Sequence, residues 1–259
     1  MPSSILLPFL RRWLGLGVIA ILIGSLEFAV RFGMVNAALV PTPSSILIRV
    51  TEIITSGAFV DPLSSTLYLF FSAYFSACIL GISAGLAMGR FPAVFRLLEP
   101  TLELIRPLPK PALLPALILF LGIGDQMKYV SVLLAAFFPI LLNTIQGVRG
   151  VDPVLINTAR TFGRSPTAIL LRVVFPASMP LIFAGMRIAV AVGLILVVAA
   201  EMMAGTGGLG YLIIDMQRSF LIPQMYAWLV ILACLGYGLN LLFLSIEARV
   251  LHWATSSAE

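Results

Sequence analysis

LIFAGMRIAVAVGLILVVAAEMM, residues 181–203, carries only Arg187 and Glu201 as charges, in a chain that is 60% hydrophobic and 10% charged. A water-soluble domain of 259 residues has no place to hide a run of this kind. A bilayer core about 30 Å thick, in contrast, is crossed by roughly 20 mostly apolar residues in a helix. Runs over 14–33, 64–88, 129–147 and 226–246 have the same character. A further run, 111–124, is too short alone. Pro107, Pro109 and Pro111 precede it and Pro115 lies within it, which predicts a kinked or late-starting helix reached from around Glu103. Irregular backbone survives at membrane depth only where protein or water covers it. The reading is an all-α polytopic membrane protein with six transmembrane helices, forming a single domain over 1–259.

Lysine and arginine accumulate on cytoplasmic flanks of membrane proteins. With the N-terminus inside, Arg11, Arg12, Arg90, Arg96, Arg106, Lys110, Arg149, Arg160, Arg164, Arg172, Arg187 and Arg249 are cytoplasmic. Arg31, Arg49, Lys128 and Arg218 are outside, a bias of twelve against four that places both termini in the cytoplasm. The net charge of +5 is therefore topology and not a nucleic-acid surface. Arg11 and Arg12 are read as the flank of a retained first helix, since no convincing small-residue cleavage site follows them.

Catalysis finds little support. His252 is the single histidine, so no zinc helix of the HExxH type can form. The two lysines, Lys110 and Lys128, follow Pro109 and Met127, so the chain has no Walker A loop. GTGGLG at 205–210 spells a dinucleotide fingerprint, but an apolar span and not a βαβ strand precedes it. Its glycines let the chain turn at the outer face, before a short helix over 211–220, and bring backbone amides within reach of a passing anion. Glu201 precedes this turn and is either a path-lining group or a satisfied structural carboxylate. With Met202, Thr206 and Gly207 it makes up the candidate substrate path.

Other features read structurally. Glu27 and Arg31 stand four apart in the order that favours a helical ion pair. Gly81, Gly85 and Gly89 form a small-residue face, for packing within the bundle or for a dimer seam. Cys78 and Cys234 are small packing residues. After Pro41-Thr42-Pro43, Ser44 marks the start of a short amphipathic helix at the outer surface.

One polar stretch stands out, NTARTFGRSPTAILLRVVFPASMP at 157–180. Asp152-Pro153 and Ser165-Pro166 each read as an N-cap followed by proline at the first helical position, predicting helices over 153–162 and 166–174. Gly163 ends the first as a left-handed C-cap, and Pro176 stops the second. Both helices are amphipathic: Leu155, Ala159 and Phe162 form one stripe, and Ile169, Leu170, Val173 and Val174 cluster away from Arg172. Such helices suit either a lipid surface or a groove on a soluble partner.

The spacing resembles the EAA loop of ATP-binding cassette (ABC) importer permeases, in which an EAA triplet is followed by three residues, glycine, nine residues and I-x-L-P. Here the triplet is Asn157-Thr158-Ala159, the glycine is Gly163 and the ending is Val173-Val174-Phe175-Pro176. RPLPKPALLPALILFLGIGD at 106–125, FFPILLNTIQGVRGVD at 137–152, LIFAGMRIAVAVGLILVVAAEM at 181–202 and GTGGLGYLI at 205–213 are similar to the nitrate, sulfonate, taurine and bicarbonate branch of that family. The resemblance implies a type I importer permease fold with cytoplasmic coupling helices in the 148–180 loop. It also implies residence in the bacterial inner membrane, two ATPase subunits that bind ATP and Mg, a second permease copy, and a periplasmic or lipid-anchored substrate-binding protein. On this reading the chain itself is non-catalytic and binds no cofactor.

Gly163 then sets the angle between the coupling helices, Ala159 and Phe162 pack into the ATPase groove, and Arg160 and Arg164 contact its rim. Asn157 stands where the family carries an acid, so that family's salt bridge is lost. The substrate implied is a small anion, aliphatic sulfonate or taurine first, nitrate or bicarbonate next, with aromatic carboxylates and pyrimidine precursors open. A self-sufficient carrier or channel is the rival reading, disfavoured by the scarcity of intramembrane charge.

Overall fold

The computed structural model describes residues 3–255, with side chains described over 17–253, and every regular element among them is helical. In chain order these are α1 (Ser3–Arg31), α2 (Pro43–Thr55), α3 (Val60–Arg90), α4 (Pro92–Ile105), a 3₁₀ turn (Lys110–Leu113) leading into α5 (Leu114–Leu121), α6 (Asp125–Arg149), α7 (Pro153–Thr161) and α8 (Pro166–Ile169). A π turn (Leu170–Val174) then enters α9 (Phe175–Ala204), followed by α10 (Leu209–Arg218), α11 (Ile222–Val250) and α12 (His252–Thr255).

Four stretches among the described residues are long and apolar enough to cross a membrane: α3, α6, Pro166–Ala204 and α11. A fifth is the pair Pro92–Ile105 and Lys110–Leu121, bent by 85° at the proline-rich break. The kink expected near Pro107 is thus a sharp corner, because prolines at 107, 109 and 111 withhold the N–H groups that would continue a helix. The 29-residue α1 covers most of the first expected span; Arg11 and Arg12 lie outside the residues whose side chains are described.

The chain divides into two units, one holding the residues up to Val60 with Leu212–Leu232, the other Asp61–Tyr211 with the chain from Ala233. In the first unit the Glu27 carboxylate accepts from Arg31 Nε at 2.6 Å, from the Ser44 backbone N–H at 3.0 Å and from Ser44 Oγ at 2.8 Å. The expected ion pair forms, and it also ties α1 to the first turn of α2. The cap of α2 is Thr42, whose hydroxyl accepts from the Ser45 N–H, with Pro43 at the first helical turn. Ser44 was the expected start; its hydroxyl goes to Glu27 instead, because the tertiary acceptor is charged and the cap position one proline earlier is already filled.

The second unit packs α3, α6, α9 and the part of α11 from Ala233 around Phe70, Ala73, Ala77, Val132, Ile140 and Val197. Small residues set the helix spacing. A Cβ placed on Gly81, Gly85 or Gly89 of α3 would strike Ile140, Thr144 or Val148 of α6, so a glycine at every fourth position faces a β-branched residue at every fourth position. Between α6 and α9, Gly185 lies against Asn143 and Gly147 against Ser178. The small-residue face of α3 is therefore an intramolecular seam, where close approach supplies the van der Waals contact that drives association in lipid.

Candidate functional site

Two clusters in the second unit hold the residues singled out above. In the α6–α9 connection, the Asp152 side chain accepts from the Val154 N–H at 2.8 Å and Ser165 from the Ala168 N–H at 3.3 Å, so both predicted N-caps form. Gly163 has φ +69°, its N–H donates to the Arg160 carbonyl, and the Arg164 N–H reaches back to the Ala159 carbonyl at 3.2 Å. This is a glycine C-cap that satisfies the carbonyls at the end of α7 and reverses the chain.

The second predicted helix differs. It does not stop at Pro176; the backbone stays helical from Pro166 to Ala204. Arg172, four residues before Pro176, lies in the π turn, where the Phe175 N–H bonds the Leu170 carbonyl. The widened turn relieves the clash a proline ring makes with the carbonyl four residues back. The connecting element is thereby continuous with a membrane-crossing helix, a rigid link that a helix broken at Pro176 would lack.

Side chains in this connection sort into two sets. Val148, Val151, Ile169 and Val174 form a small core with Ile156 and Ala159 packed against it. Phe162 is 78% exposed, and Val154, Leu155 and Leu171 are exposed with it. Asn157 Oδ1 accepts from Arg160 Nη1 at 3.3 Å. Of the expected contact residues, Asn157, Arg160, Phe162, Gly163 and Arg164 are each exposed, while Ala159 is half-buried and leans on the chain's own core.

The second cluster surrounds Glu201, which is 1% exposed. Its Oε1 accepts from Thr66 Oγ1 at 2.8 Å and its Oε2 from the Gly210 N–H at 2.9 Å, while Thr66 Oγ1 accepts from the Leu209 N–H at 2.9 Å. Thr66 and Glu201 thus take up the first orphan N–H groups of α10, where a helix start favours negative charge. The turn between closes on the carboxylate so tightly that a Cβ on Gly208, at φ +98°, would overlap it, and one on Gly205 or Gly210 would strike the α9 backbone. Lys128 is buried and paired with Asp125 at 2.9 Å. Around this core Met202 and Gly207 are half-buried and Thr206 is exposed.

Thr66 is a partner of Glu201 that the sequence reading does not supply. The only trace of Thr66 in the sequence is a hydroxyl at the edge of an apolar run, 135 residues before the acid it serves. Glu201→Ala should leave Thr66 and the Gly210 N–H without their acceptor, at a cost of about 1–3 kcal/mol. A clear fall in Tm in detergent, smaller for Glu201→Gln, which keeps one acceptor oxygen, is the expected result.

The chain matches the family described as the binding-protein-dependent transport system inner membrane component over residues 77–252. It is 30% identical over 245 residues to the taurine transport system permease protein TauC of Escherichia coli (strain K12), covering 93% of this chain and 89% of that protein. It is 29% identical over 242 residues to SsuC of Bacillus subtilis (strain 168), named for aliphatic sulfonates transport, covering 93% and 88%. The nitrate import permease protein NrtB of Synechocystis sp. (strain ATCC 27184 / PCC 6803 / Kazusa) is 29% identical over 175 residues, covering 68% and 64%. In fold it superposes on a chain of the inward-facing MetNI methionine ABC transporter with a TM-score of 0.61, at 22% identity, covering 71% of this chain and 92% of that one. With the matched family covering well over half of its length, this multi-pass inner-membrane chain belongs to the permease subunits of ABC importers, the inner membrane components of binding-protein-dependent transport systems.

Proposed function

We propose that this permease forms the translocation path for a small anion, an aliphatic sulfonate or taurine first and nitrate or bicarbonate next. Relatives named for taurine, aliphatic sulfonates and nitrate support the reading, since those solutes share an anionic oxygen-bearing group. In the assembly we envisage, two copies of the chain form one permease domain each and pair with two ATPase subunits that bind ATP and Mg. A periplasmic or lipid-anchored binding protein delivers the solute on the side of the glycine-rich turn. Both termini and the 148–180 loop face the cytoplasm, in keeping with the arginine bias.

The observation that carries the coupling role is the capped α7 with Gly163 behind it: a short exposed element that the Gly163 turn joins to α8, which runs through the π turn into α9. Asn157, Arg160, Phe162, Gly163 and Arg164 make the ATPase-facing contacts, with Phe162 as the apolar anchor. Ala159 and Pro176 support them from behind. Glu201 serves as an internal tether for the turn at 205–208, and its carboxylate is spoken for by hydrogen bonds. An anion path can therefore run past Met202, Thr206 and Gly207 without meeting a free negative charge.

The testing experiment is co-expression with a cognate ATPase and binding protein, copurification, and reconstitution into vesicles. Taurine or an alkanesulfonate is expected to stimulate ATP hydrolysis only when all three components are present. Uptake by the permease alone, driven by an ion gradient, would contradict the proposal.

A further inference from the structure

Three arginines from three places in the sequence line a single pocket of about 280 Å³. Arg90 ends α3, Arg160 lies on α7, and Arg164 follows the Gly163 turn. The pocket floor is apolar, from Val148, Ile156 and Val174. None of the three guanidinium groups makes an ion pair among the described residues, whose five ion pairs all lie elsewhere. The partner found for Arg160 is the neutral amide of Asn157, and Arg90 rests near the Phe91 ring at 5.6 Å. Asp152 is the single acid of the 148–180 loop, and its side chain is engaged at the cap of α7.

Three like charges lining one pocket repel each other. An anion seated among them reverses the sign of the interaction. Guanidinium groups present planar forks that match two oxygens of a tetrahedral oxoanion at once, which a bare positive charge does not. We infer that this pocket binds a tetrahedral oxoanion, a sulfate, sulfonate or phosphate group, and that the bound group bridges the end of α3 to α7 and to the turn behind it. The chemistry is shared by a free oxoanion and by the phosphate of an anionic phospholipid headgroup. The pocket is distinct from the cluster around Glu201, and Arg164 also borders the neighbouring groove lined by Phe162.

The test uses the full chain in neutral detergent without its ATPase, so that a failure of the coupling role does not affect it. Thermal unfolding is followed while sodium sulfate replaces sodium chloride at constant ionic strength. In a second arm, short-chain phosphatidylglycerol is compared with phosphatidylcholine at equal lipid content. A saturable rise in Tm with sulfate is expected, its midpoint shifted about tenfold by Arg160→Gln or Arg164→Gln and unmoved by Arg172→Gln, whose side chain lies outside the pocket. Arg160→Lys should fall between, because it keeps charge and loses the fork.

A response to phosphatidylglycerol with none to sulfate, and with the same sensitivity to the variants, assigns the pocket to a lipid headgroup and upholds the oxoanion chemistry. No saturable response in either arm, or a response that ignores Arg160→Gln and Arg164→Gln, overturns the inference. Arginine variants that bind both probes normally yet fail to copurify with the ATPase also overturn it, since the pocket would then serve a protein carboxylate.

Discussion

Gly85→Leu is expected to prevent the folded chain from accumulating in the membrane. An ideal Cβ at Gly85 lies 2.5 Å from Thr144 Cβ and 3.1 Å from the Leu141 carbonyl oxygen. Neither atom belongs to a flexible side-chain end that can swing aside, so α3 and α6 must separate. Separation propagates along the seam, because Gly81 and Gly89 are closed in the same way by Ile140 and Val148. It would also loosen the core formed by Phe70, Ala73, Val132 and Ile140.

Overpacking a well-filled core costs about 1–3 kcal/mol and occasionally more. Forcing two helix backbones apart belongs at or beyond the top of that range, a large share of the about 5–15 kcal/mol by which folded domains outlast their unfolded states. Gly85→Ala should give a smaller but clear fall in Tm. Gly24→Ala, which places its methyl where no neighbour lies within 4 Å among the described residues, should give none. Size-exclusion profiles and thermal unfolding in detergent make the comparison. A monodisperse Gly85→Leu protein with unchanged Tm would show that the seam is not closed as described.

Gly163→Pro is expected to abolish solute-stimulated ATP hydrolysis while leaving the protein folded in the membrane. The native φ of +69° is out of reach for proline, whose ring holds φ near −65°. The substitution also removes the N–H that bonds the Arg160 carbonyl at 2.9 Å, and with it half of the cap that reverses the chain. Because Gly163 is exposed and no neighbour among the described residues lies within 4 Å of its Cβ position, the damage stays local, and the α3–α6–α9 core remains closed. Gly163→Ala, which fits the space but strains the left-handed backbone by roughly 1–2 kcal/mol, should lower coupling without abolishing it. Stimulated hydrolysis in the reconstituted complex, measured against the Tm of each variant, separates coupling from stability. Undiminished stimulation in Gly163→Pro would remove this turn from the coupling mechanism.

Local signals are legible in the residues alone. Asp152-Pro153, Ser165-Pro166 and Gly163 state where α7 starts, where α8 starts and how the chain turns between them, because caps depend on atoms within three residues. The apolar runs announce α3, α6, α9 and α11, because span length follows from the thickness of the bilayer. Pro176 misleads for the same local reason: proline alone reads as a stop, while the π turn that accommodates it is seen only once Leu170–Val174 is folded. Ser44 misleads as well, since its hydroxyl answers to Glu27, 17 residues away, and leaves the cap to Thr42.

Residue type and short spacing are enough to determine the membrane-spanning helical class, the proline and glycine punctuation of the 148–180 loop and the lack of a Walker A loop. Which of two uses each ambiguous residue takes is a tertiary decision. Glu201 becomes the tether of the glycine turn because α3 brings Thr66 to 2.8 Å from it and α10 brings the Gly210 N–H to 2.9 Å. The glycines of α3 become an internal seam because α6 presents Ile140, Thr144 and Val148 in the same four-residue step. Arg90, Arg160 and Arg164 become one pocket because α3 ends beside α7. Contacts between residues so far apart in the chain depend on which helix faces pack together, and no window of sequence contains both sides of that choice.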